Sequence, residues 1–170
     1  MEITFTKTGA RSYEVVARRD DQVVIRVQTP DRPQGLPHDM AHYLVERGLG
    51  FERGFWGAVA AGAVFKGMQV VSGRRPPHAA ARSKAIIKAE DHQLAAAELY
   101  VSVIQSVARE RKEGDWAGVN ARLDEVWRPF RKPRKAVTRE GVARVCEALR
   151  AAEREWGELP VGGSVTVSWV

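Results

Sequence analysis

The sequence predicts an α+β fold: a small antiparallel sheet of three N-terminal strands plus the C-terminal strand, packed against about five helices. Two observations carry that expectation. Apolar and polar residues alternate at both ends of the chain, whereas between the ends the apolar residues recur every three or four positions.

Within Glu2 to Lys7, Ile3 and Phe5 fall on one side and Thr4 and Thr6 on the other, the pattern of a half-buried strand. Gly9 breaks it. Tyr13 to Arg18 and Gln22 to Val27 are rich in β-formers and are separated only by Arg19-Asp20-Asp21, which predicts a tight hairpin with Val23, Ile25 and Val27 on one face. Thr29 to Gly35 is a turn-rich loop without periodicity. Pro37 then suits the first turn of a helix and Gly48 its end, with apolar contacts from Met40, Leu44 and either Val45 or Tyr43.

The run Phe55 to Phe65 has no polar face, so it is expected to be a helix buried around nearly its whole circumference. Gln69 to Val71 is a short extended piece, and Ser72 to Pro77 a loop. A long helical segment starts near His78 or Ala79, with a kink or break expected between Ala85 and Glu90; its core stripe is Leu94, Ala97, Val101, Ile104 and Val107. Asp115 is a good N-cap for a helix through Val119, Leu123, Val126 and Trp127. Pro129 and Pro133 exclude a continuous helix from Arg128 to Lys135. Thr138 caps the last helix, whose apolar positions are Val142, Val145, Leu149, Ala152 and Trp156. Ser164 to Trp169 alternates as cleanly as the first strand and is expected to pair with the N-terminal sheet, leaving the termini close together.

A chain of 170 residues with 44% hydrophobic and 28% charged residues suits one globular domain, folding alone or as a small oligomer. The first residues lack the basic start and continuous apolar core of a signal peptide, and the longest apolar run falls short of the roughly 20 residues that span a bilayer. A cytoplasmic location without membrane insertion is therefore expected. The single Cys146 cannot form an internal disulfide and lies among apolar helix positions, where an inert buried thiol is expected.

The chemically specific residues gather between Leu36 and Gly67. Positions four apart on a helix differ by about 40°, so His38, His42 and Glu46 form a ladder on one face. Two imidazoles at that spacing can converge on one metal ion. Glu46 lies about 12 Å along the axis from His38, so one ion shared by all three would strain the ladder. Glu46 can instead ligate from the far end, or accept a hydrogen bond from His42 and fix its tautomer. A third ligand from the long helix is the alternative, with His92, Asp91 and Glu98 as candidates; Glu98 interrupts the apolar stripe between Leu94 and Val101 and needs a partner there. The competing reading is structural: Asp39 complements a helix dipole, and His42 and Glu46 are an ordinary hydrogen-bonded pair.

The net charge of +6 and the basic segment Arg128, Arg131, Lys132, Arg134 and Lys135 suggest a rival role in nucleic-acid binding, with Trp127 and Phe130 stacking on bases. The same pattern also describes a solvated loop whose aromatics anchor it to the core. Arg74-Arg75 is a smaller basic pair.

His38-Asp39-x-x-His42 resembles the His-Glu-x-x-His motif of zincin metalloproteases over five residues, with Asp39 where that family has its general base. It departs from that motif in the shorter acid and in Gly48, which stands where the metzincin branch has a third histidine. Proteolysis is not implied. The longer string Leu36-Pro37-His38-Asp39-x-x-His42-x-x-Val45-Glu46, followed by Gly54-Phe55-Trp56-Gly57, resembles a family of small uncharacterised bacterial proteins over about half of the chain. That resemblance implies no activity. The sequence thus leads to the expectation of a divalent-metal site, zinc by its histidines, at His38 and His42 with one acidic ligand. If the protein is an enzyme, the metal would activate water for hydrolysis with Asp39 or Glu46 handling the proton.

Overall fold

The computed structural model describes residues 1–27, 35–131 and 133–170. Of the expected loop at Thr29 to Gly35, only Gly35 lies among the described residues, and Lys132 lies outside them.

The alternating segments form strands β1 (Glu2–Lys7), β2 (Tyr13–Arg18), β3 (Val24–Val27) and β5 (Ser164–Ser168). The third strand begins at Val24 because Gln22 is in the turn, with φ 65°. Met68–Ser72 is a further strand, β4, which pairs antiparallel with β3 and makes a five-stranded sheet in the order β4-β3-β2-β1-β5. The four-stranded expectation is corrected accordingly. Residues 68–72 are half-buried to exposed at the sheet edge, so the pleat imposes little alternation on them. The expected return of the C-terminal strand is met: Glu2 faces Ser168 and Phe5 faces Val165, and the Met1 amino group donates to the Trp169 carbonyl at 2.9 Å.

Among the described residues six α-helices accompany this sheet: α1 (His38–Leu49), α2 (Phe55–Ala61), α3 (Ala79–Ala89), α4 (Asp91–Glu110), α5 (Trp116–Trp127) and α6 (Arg139–Glu158). The expected break near Glu90 is real and separates α3 from α4, which raises the count above five. Asp115 and Thr138 cap α5 and α6 by accepting from Gly118 N and Gly141 N. The helix expected to run to Phe65 ends at Ala61, because Gly62 takes a left-handed conformation (φ 119°) that closes it. Burial is complete only at Trp56 to Val59, while Ala61 is exposed.

Two apolar clusters result. On the sheet side Ile3, Phe5, Val15 and Ile25 pack against Met40, Trp56, Val59 and Trp156. On the helical side Ala41, Val45 and Leu49 join Val101, Ile104, Leu123, Val142 and Val145. Helix α1 contributes to both and lies between them. The sector of α1 carrying His42 and Glu46 is buried along with its apolar residues. Among the described residues no helix is long and apolar enough to cross a membrane.

Candidate metal centre

Glu46 is fully buried, and both of its oxygens are engaged. Oε1 accepts from Phe55 N at 2.9 Å and Oε2 from Trp56 N at 3.1 Å, so the carboxylate caps the start of α2 from another helix. No side chain of the local N-cap does so, since that residue is Gly54. Gly54 is required by this approach: a Cβ there would lie 2.5 Å from the Glu46 carboxyl carbon and 2.7 and 2.8 Å from its oxygens.

Oε1 also receives a hydrogen bond from His42 Nδ1 at 2.9 Å. A carboxylate can only accept, so the proton is on Nδ1 and the neutral ring's acceptor is Nε2. That atom lies 3.2 Å from His38 Nε2 and 3.4 Å from Glu98 Oε2, and the His38 to Glu98 edge of the triangle is 3.6 Å. Three potential donor atoms this close could hold a shared cation. Zinc bound to nitrogen or oxygen at about 2.0–2.1 Å in tetrahedral geometry separates its ligand atoms by ~3.3 Å, which matches the triangle. Without a metal a proton serves. Burial works against a charged His42, but the hydrogen bonds and charges of Glu46 and Glu98 outweigh it and raise its pKa to about 9. Hydrogen bonds from His38 and then His42 hold Glu98 well below the usual carboxylate range, against its partial burial.

Access is one-sided. The His42 side chain is 2% exposed and lies against Phe55, whereas those of His38 and Glu98 are 33% and 61% exposed. An ion held by the three donors would face solvent at its remaining position, the arrangement that lets a metal bind and acidify water. His38 also borders a cleft of 430 Å³ walled in part by Tyr13, Gln105 and Trp156.

The remaining candidates lie elsewhere. Asp39 is rotated about 100° from His38, and its Oδ2 accepts from Tyr13 Oη at 3.1 Å. It is outside the donor group. Glu46, with all its contacts to His42 and the α2 backbone, occupies the orienting position. His92 is packed edge-on against Trp127 and Phe130, with centroids 5.0 and 5.9 Å away, and Asp91 at the exposed start of α4 is likewise outside the group. Sequence reasoning missed Gly54 and the Phe55 and Trp56 amides. The available signal was a glycine immediately before an apolar helix that has no capping side chain.

In the basic segment, Arg134 is internally committed: it donates to Asp124 Oδ1 at 2.5 Å and to Asn120 Oδ1 at 2.6 Å. Lys135 Nζ stands 5.2 Å from the centroid of the Phe51 ring. Trp127 is buried and stacked on Phe130, with centroids 4.5 Å apart, so its face is covered by protein. Arg128 and Arg131 are exposed. Comparison of the chain with protein-family models, curated proteins and solved structures returned no match.

Proposed function

We propose that the protein binds one divalent metal, zinc by the chemistry of its donors, through His38 Nε2, His42 Nε2 and Glu98 Oε2, with Glu46 orienting His42. The observation that supports this reading is the triangle of donor atoms 3.2, 3.4 and 3.6 Å apart, with the second nitrogen of one histidine fixed by a buried carboxylate. If the bound metal is catalytic, its solvent-facing position takes the water and the reaction class is hydrolysis. Glu98, the most exposed of the three donors, is then the carboxylate nearest that water.

Elemental analysis and zinc titration of protein purified without a histidine tag test the proposal. Wild type is expected to carry close to one equivalent. Glu98→Ala, on an exposed side chain, and His38→Ala, on a half-buried one, should lose about a hundredfold or more in affinity, and Glu46→Gln about 10–100-fold. Wild type that stays metal-free in zinc-replete medium and shows no saturable zinc binding in titration would overturn it.

A further inference from the structure

At the C-terminal end of α2, the turn between β2 and β3, the loop after β4 and the start of α3 enclose a cavity of 50 Å³ bordered by Arg19, Arg75 and Arg82. About 10–15 Å³ measured this way holds one water, so the space suits a small oxyanion. Arg19 is 6% exposed. Its Nε donates to Asp21 Oδ1 at 3.0 Å and its Nη2 to Asp21 Oδ2, and among the described residues nothing accepts from Nη1. Among the described residues Asp21 is the one carboxylate lining the cavity, and neither Arg75 nor Arg82 has an ion-pair partner. Among the described residues three arginines and one carboxylate thus line the cavity, an excess of two positive charges.

The groups are placed by backbone anchors. Arg19 N donates to Val23 O at 3.0 Å and closes the turn. Gly73, at φ +90°, lies so close to that turn that a Cβ would be 2.4 Å from Gln22 O, and this packs the start of the loop that leads to Arg75 against Gln22 and Val23. Ser83 Oγ accepts from Val64 N at 2.9 Å and donates to Val64 O at 3.3 Å, holding the turn of α3 that carries Arg82. Helix α3 has no acidic residue in its first turn and no side-chain cap, and Ala79 at its start lines the same cavity.

We propose that this pocket binds a phosphate-sized dianion, free or as the terminal group of a small phosphate monoester. Guanidinium forks on Arg75 and Arg82 would take two faces of the anion over the charge supplied by Arg19. The bound anion would tie α3, which buries only Ser83, to the sheet edge.

Calorimetric titration of the full chain with sodium phosphate, against sodium chloride at equal ionic strength, tests this. Saturable phosphate binding is expected, weakened roughly tenfold or more in Arg82→Ala and in Arg75→Ala and unchanged in the neighbouring Arg74→Ala. Both weakening substitutions are on exposed side chains, and circular dichroism checks that the variants remain folded. His38→Ala is expected to leave the affinity unchanged, which separates this pocket from phosphate bound at the metal centre. Glucose 6-phosphate distinguishes the sources: matching affinity with the same arginine dependence assigns a monoester, and inorganic phosphate alone assigns the free ion. A phosphate signal no larger than that of chloride, or one indifferent to both Arg75→Ala and Arg82→Ala, would overturn the proposal.

Discussion

His42 and Cys146 are both buried titratable side chains, on helices α1 and α6 that pack against each other, and they behave in opposite ways. Burial disfavours the charged form of each. Around His42 two carboxylates reverse that effect, and the ring holds a charge up to about pH 9. Around Cys146 the nearest acceptor is Ile104 O at 4.0 Å; burial and the nearby Glu113 charge push the thiol up to about 11. Solvent exposure is almost equal at the two positions, and the partners decide which of them becomes chemically poised. One of the His42 partners, Glu46, is fixed by backbone amides of a third helix, which makes that polar pair part of the architecture.

The largest expected effect removes those partners. Glu46→Ala leaves Phe55 N, Trp56 N and His42 Nδ1 buried without an acceptor. Loss of a partner in a buried charged cluster costs about 3–5 kcal/mol. In a domain of this size that corresponds to roughly 6–20 °C in melting temperature. Denaturant unfolding in the presence of a chelator isolates this from any metal effect. Glu46→Gln keeps acceptor capacity at one oxygen and should lose less than half as much. A loss below about 1 kcal/mol in Glu46→Ala would show that water replaces the carboxylate and that the contrast with Cys146 is one of charge alone.

Gly54→Ala should come next, at about 2 kcal/mol, in the range of overpacked sites. The cause is steric and not conformational: Gly54 has φ −72° and ψ −156°, which alanine adopts freely, but the new Cβ meets the Glu46 carboxylate. An ordinary glycine-to-alanine change at an N-cap costs less than this clash, about 1 kcal/mol. The double variant Glu46→Ala with Gly54→Ala then separates the causes, because the clash disappears with the carboxylate. Its loss should fall short of the sum of the single losses by about 1 kcal/mol or more. Simple additivity would place the effect of Gly54 elsewhere.

This dependence on distant partners explains what the sequence revealed of the site. Local spacing was enough to place His38, His42 and Glu46 on one face of α1, because a helix converts four residues into one turn. It was enough for β1 and β5, where Ile3, Phe5, Val165 and Val167 face the core and Thr4, Thr6, Ser164 and Thr166 do not. The strand β4 was harder to recognise as part of the sheet: at the edge, with Gln69 and Val71 exposed, the burial that writes alternation into a strand is weak. Selection of Glu98 over His92 depended on how α4 docks on α1, and no periodicity within α4 encodes that. The stripe showed only that a carboxylate at Glu98 needed a partner. For the basic segment, composition registered Arg134 as a surface cation while Asp124 and Asn120, one turn apart on α5, neutralise and bind it.

The smallest effect concerns Cys146, and its sign is set by linkage. The folded thiol titrates near 11 and an unfolded one near 9.0, so above pH 9 the unfolded chain gives up a proton that the folded chain retains. Fewer protons bound in the unfolded state means stability that falls as pH rises between about 9 and 11, by about 1–2 kcal/mol after allowance for partial solvent screening. Lysines and tyrosines titrate in the same range, so the quantity to measure is the difference between wild type and Cys146→Ala in denaturant unfolding at about pH 8.5 and about pH 10.5. The variant loses about 1 kcal/mol at both values through its small cavity, but its stability should decline less on going alkaline. Equal alkaline slopes in the two proteins would mean that the folded thiol has found an ionised form it tolerates, and Cys146 would then stand much closer to His42 than its surroundings indicate.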